Sequence, residues 1–213
     1  MELAGIPAYV EPSFLFLLLI YFAFGAQNGR LDFPRIGLFC FAVFISLLVH
    51  EYGHAFMARA RGCDGIRIAL WAGGGLAYHR PTTRGNSLLV IGAGPGLQLI
   101  FGLVSRYLYQ SNWFEAWQLA DPIYYFLHGL VWINFSWVAL NLIPIYPLDG
   151  GQFLYHLLTY RWDDRRALLF VARFSMPLCV VVGLLGLHYQ FTLLTMMCVN
   201  FFMSNLQIAQ SNA

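Results

Sequence analysis

The residues of this chain best suited to chemistry are His50–Glu51–Tyr52–Gly53–His54, two histidines four positions apart with a carboxylate beside the first. On a helix, positions i and i+4 share a face, so both imidazoles can grip one metal ion. Glu51 then lies close enough to polarise a water held by that ion, an arrangement for hydrolysis. Two histidines leave the site incomplete, because a catalytic zinc takes three protein ligands and one water. The acidic residues and histidines in or near apolar segments are Asp149, His128, His156, His188, Asp121 and Glu115. Asp149 fits best. It stands in Asn141–Leu142–Ile143–Pro144–Ile145–Tyr146–Pro147–Leu148–Asp149–Gly150–Gly151, where Pro144 and Pro147 remove backbone donors and break a helix. Gly150 and Gly151 permit a sharp re-entry or a close backbone approach.

The elements that must position these residues are set by composition. Of 213 residues, 59% are hydrophobic and only 10% charged; a soluble domain carries roughly 25% charged residues. The deficit points to a polytopic α-helical membrane protein. All 12 basic residues are Arg, and the net charge of +2 with no basic, aromatic-interleaved cluster argues against nucleic acid as a partner. Cys40, Cys63, Cys179 and Cys198 are scattered with no C-x-x-C pair, so they read as small apolar residues rather than a zinc or disulfide framework.

Apolar runs predict about six transmembrane helices. Residues 1–11 form a short amphipathic lead. The first span covers 12–26, extended back to Val10; it lacks the positive charge that a signal peptide wants before its apolar run, so it reads as retained. The second, Ile36–Ala60, carries the histidine motif. Further spans follow at Ser87–Tyr109, Pro122–Leu142, Ala167–Leu187 and Tyr189–Gln207. Three regions result: 1–35 as lead and first span, 36–160 as the catalytic membrane core, and 161–213 as a two-span hairpin. Arginine counts orient them. Arg59, Arg61, Arg67, Arg80, Arg84, Arg161, Arg165 and Arg166 fall on one side, against Arg30, Arg35 and Arg106 on the other. Both termini and the active-site side then face the cytoplasm, in a prokaryotic plasma membrane.

Between spans two and three the pattern changes. Ile66, Ile68 and Leu70 alternate with Arg67 and Ala69, and Gly73–Gly74–Gly75 follows. Period-two alternation around a glycine turn predicts a β-hairpin. At membrane depth a bare strand edge must be sheltered or line a wet cavity, so a membrane-re-entrant hairpin beside the active site is expected.

Together, His50–Glu51–Tyr52–Gly53–His54 and the segment from Asn141 through Pro144 to Asp149–Gly150 resemble the paired signatures of the site-2 protease family, which are intramembrane zinc metalloproteases. The resemblance extends to Asn134, to Ala93–Gly94–Pro95 and to the hairpin glycines, and covers roughly residues 36–160. It implies one Zn²⁺ per chain on His50, His54 and Asp149, with Glu51 as proton acceptor. It implies Asn141, with Gly73, Gly74 and Gly75 of the hairpin, as substrate-binding or oxyanion groups, and a membrane-spanning protein as the substrate. The length leaves no room for an inserted PDZ-like or appended CBS domain, so a minimal form is expected. The rivals are a membrane di-iron oxidase, for which six histidines with one spaced pair are too few, and a non-catalytic scaffold, against which an intact Glu51 argues.

Overall fold

The computed structural model describes residues 1–16, 18–19, 32–71, 74–80, 83–111 and 120–211. Strands β1 (Glu2–Leu3) and β2 (Ile6–Val10) come first, then helix α1 (Phe33–Ala60). Strands β3 (Arg67–Trp71) and β4 (Gly74–Tyr78) follow, and the rest is helical: α2 (Arg84–Gln110), α3 (Ala120–Asn141), α4 (Asp149–Leu158), α5 (Asp164–His188) and α6 (Thr192–Ser211). Among the described residues, all of these helices except the ten-residue α4 are long and apolar enough to cross a membrane, five in number. Each span expected from the sequence after the first has its helix, with ends moved by a few residues. The first expected span lies partly outside the described residues.

The described residues cluster into two compact units, residues 1–82 with 93–138, and residues 83–92 with 139–213. In the first unit, Asp32 caps α1 by accepting a hydrogen bond from the Arg35 N–H at 3.2 Å. The helix stops before Gly62, whose φ of +74° suits a residue without a Cβ. Its 28 residues span about 42 Å, more than the roughly 30 Å hydrocarbon core, so a site near its C-terminal third lies toward one face of a bilayer. Against it, α3 buries Leu127 and Leu130 around Ala42; a Cβ on Gly129 would press on Phe39.

The predicted hairpin is present, with Leu70 opposite Gly75 and Trp71 opposite Gly74. What the sequence reading placed in an amphipathic lead, and at Val10 in a helix, is instead sheet. β2 runs parallel to β3, pairing Ala8 with Ile68 and Val10 with Leu70, to give the strand order β1-β2-β3-β4. The physical reason is edge protection: a hairpin alone leaves two rows of unpaired backbone groups, and β2 covers one of them. Ile6 and Ala8 are buried, the Tyr52 hydroxyl of α1 donates to the Ile6 carbonyl at 3.3 Å, and the Arg59 guanidinium donates to the Ala4 carbonyl.

In the second unit the proline-broken segment ends where α4 begins, so Asp149 opens a helix instead of closing a loop. Gly150 and Gly151 lie inside its first turn, with neither φ in the left-handed region. They serve close approach rather than sharp re-entry, since a Cβ at either would overlap the backbone of residues 142–146. The same segment is tied to α5 and α6. The Tyr146 N–H donates to the Ser175 hydroxyl at 2.9 Å, and the Asn205 amide donates to the Tyr146 carbonyl at 2.5 Å. Both backbone groups of Tyr146, which is half-buried, are thus satisfied by side chains.

Candidate metal centre

His50, Glu51 and His54 are all buried on α1, with His50 and Glu51 only 3% and 5% exposed. The helical i, i+4 spacing brings the two Nε2 atoms to 3.1 Å from each other. Zinc–nitrogen bonds of about 2.0–2.1 Å at the tetrahedral angle hold two ligand nitrogens roughly 3.3–3.4 Å apart, so the pair is spread nearly as one ion would spread it. In the other unit, Asp149 is buried at the start of α4. Two imidazoles and a carboxylate form a donor set that zinc accepts in hydrolytic sites, and the residues fit that ion.

Small residues make room for this pair. A Cβ on Gly53 would run into the backbone of Ala93 and Gly94 on α2, and a Cβ on Gly94 would overlap the His54 ring. The α1 and α2 backbones therefore approach closely, as small residues permit between membrane helices. On the other side β4 passes over Glu51: a Cβ on Gly75 would overlap its carboxylate. A Cβ on Gly74, at φ +120°, would stand 3.4 Å from the Trp137 ring, and Gly73 lies outside the described residues.

The remaining sequence-picked residues divide plainly. Asn141 ends α3 with its amide nitrogen buried and without a hydrogen-bond partner among the described residues. Asn134 donates to the Leu130 carbonyl at 2.7 Å. His128 and His188 are exposed on α3 and α5, and His156 lies on α4 beside Tyr155. Asp121 is exposed and Glu115 lies outside the described residues. One buried residue escaped the sequence reading altogether. Gln98 of α2 reaches the Nδ1 of His50 at 2.9 Å; its only signal was a polar side chain inside an apolar span.

Comparison with known proteins agrees with this geometry. The chain is 26% identical over 186 residues to a zinc metalloprotease of Methanocaldococcus jannaschii, covering 87% of this chain and 52% of that protein. It is 28% identical over 174 residues to stage IV sporulation protein FB of Bacillus subtilis, covering 78% and 54%. The fold matches the solved structure of the site-2 protease from Methanocaldococcus jannaschii with a TM-score of 0.70, at 22% identity over 98% of this chain and 93% of that one. The profile of peptidase family M50 matches residues 114–182. The chain is similar in sequence to peptidase family M50 over that stretch and in fold to a site-2 protease. Its five long apolar helices mark it as an integral membrane protein. It spans about half the length of the curated relatives it matches. The matched stretch includes Asn134, Asn141 and Asp149 but not His50 and His54. The histidine motif thus stands on its own geometry.

Proposed function

We propose that this chain is an intramembrane zinc metalloprotease that hydrolyses peptide bonds of membrane-anchored proteins within or near the bilayer. The observation that carries the reading is the buried pair of His50 and His54, their Nε2 atoms 3.1 Å apart, with buried Glu51 beside them on an apolar helix. His50, His54 and Asp149 would hold one zinc. When bound, that ion supplies a Lewis acid that lowers the pKa of a coordinated water to roughly 7. Glu51 accepts the water's proton as the oxygen attacks the peptide carbonyl, then returns a proton to the leaving amine as the C–N bond breaks. Asn141 offers its amide N–H to the developing oxyanion, a contact whose loss typically costs on the order of 10²–10³ in rate. The outer edge of β4 receives the unwound substrate as an added strand, with Gly74 and Gly75 allowing close approach. In this reading the hairpin is membrane-re-entrant, the spans number six, and the site faces the cytoplasm of a prokaryotic plasma membrane with both termini on that side. Reporter fusions at the two termini check the orientation; opposite-side signals would overturn it.

The direct test uses purified protein in detergent with a single-span reporter substrate. Wild type is expected to carry one zinc per chain, to lose cleavage when a chelator removes it, and to regain cleavage on zinc addition. Cleavage that survives complete metal removal would refute the proposal. Two glycine substitutions should separate the machinery. Gly94→Ala pushes the His54 ring aside, so its zinc affinity should fall by roughly tenfold or more in a chelator competition. Gly75→Ala displaces the Glu51 carboxylate and should lower kcat while zinc content stays at one per chain.

A further inference from the structure

The antiparallel faces of α1 and α2 place two residues of α2, four positions apart, against the two histidines four positions apart on α1. Gly94 backs His54 and Gln98 backs His50. The first contact is explained by space. The second needs a chemical reason, because Gln98 is fully buried in an apolar helix where Leu would fill similar volume. A buried primary amide is costly unless its groups are hydrogen-bonded. Gln98 spends its oxygen on His50 Nδ1 at 2.9 Å, while its Nε2 has no partner among the described residues. A side chain held for packing would not leave a donor stranded in this way.

What the contact does follows from imidazole chemistry. The ring offers Nε2 toward His54 and Nδ1 toward Gln98. A neutral imidazole carries one proton, and only the tautomer with Nδ1–H leaves a lone pair on Nε2. The amide oxygen accepts and cannot donate, so it favours that tautomer and holds the ring plane. The reversed amide would favour the proton on Nε2, which blocks ligation. We propose that Gln98 is a positioning residue that fixes the ligating tautomer and orientation of His50, an inference that rests on His50 being a metal ligand. Carboxylates, backbone carbonyls and waters commonly fill this role at metal sites. An amide fills it here without adding another negative charge at membrane depth.

The test combines metal affinity with tautomer spectroscopy on the full-length protein in detergent. Zinc and cobalt affinities are measured by chelator competition for wild type, Gln98→Leu and Gln98→Glu, with the cobalt absorption spectrum recorded for each. Gln98→Leu is expected to weaken binding about 10–100-fold. Gln98→Glu should restore it to within a few-fold of wild type, because a carboxylate accepts the same Nδ1–H bond. In zinc-free wild type, two-bond ¹H–¹⁵N correlations of labelled histidine should show His50 with its proton on Nδ1, a readout that needs no variant to fold. Wild-type affinity in Gln98→Leu, equal weakening in Gln98→Leu and Gln98→Glu, or an Nε2–H tautomer in wild type would each overturn the assignment. Failure of wild type to bind one zinc would instead overturn the metal reading beneath it.

Discussion

Replacing Glu51 with Gln should leave zinc in place and lower the rate of peptide-bond cleavage by about 10²–10⁴. The substitution is nearly isosteric, and the site is tight: Glu51 is 5% exposed and lies under the β4 backbone at Gly75. Gln fits that space and keeps hydrogen-bonding capacity, but it cannot take a proton from water. A loss of 10³ corresponds to about 4 kcal/mol in the barrier. The effect should fall on kcat, because in the proposed mechanism the residue acts on the reacting water and not on the bulk of the substrate. Single-turnover cleavage of a membrane-spanning reporter, with zinc quantified in the same samples, measures both quantities. Equal rates for the two proteins, each with a full zinc complement, would remove Glu51 from the mechanism.

Asp149→Ala should have the opposite signature, with loss of the metal and of activity together. In the proposed site it removes one of three protein ligands, so the affinity should fall by more than the roughly 10–100-fold that loss of an outer partner costs. Stability offers a second readout. A ligand that binds only the folded state adds about 4 kcal/mol when present at 1,000 times its Kd. Wild type should therefore gain thermal stability on zinc addition, and Asp149→Ala should gain far less at the same concentration. The comparison separates loss of a ligand from general misfolding, which would lower the zinc-free melting temperature as well. An unchanged zinc content in Asp149→Ala would show that another residue completes the site.

Much of the site was legible because it is written in local spacing. The i, i+4 histidines share a helix face by geometry alone, and the prolines at 144 and 147 announce a break near Asp149. The hairpin was legible for the same reason, since alternation around glycines is a local signal. What escaped was non-local or chemically quiet. Ile6–Val10 has five residues including a proline, and its partner β3 begins 57 positions after Val10; no periodicity within the segment reports a parallel pairing of that kind. Gly150 and Gly151 were readable as small, but whether they turn the chain or let backbones touch depends on atoms of residues 142–146. Gln98 was visible as one polar residue in a span, yet its meaning required the ring of His50 beside it.

The side-chain bonds at Tyr146 bear on motion. A turn containing two prolines would ordinarily drift on its own timescale, as loops do. Here Ser175 and Asn205 hold the peptide groups on both sides of the same residue. Three residues before the aspartate, the chain is therefore coupled mechanically to two long helices. The carboxylate inherits the stiffness of that helix pair, and any slow tilt of α5 and α6 would carry the turn along as cargo rather than leave it behind.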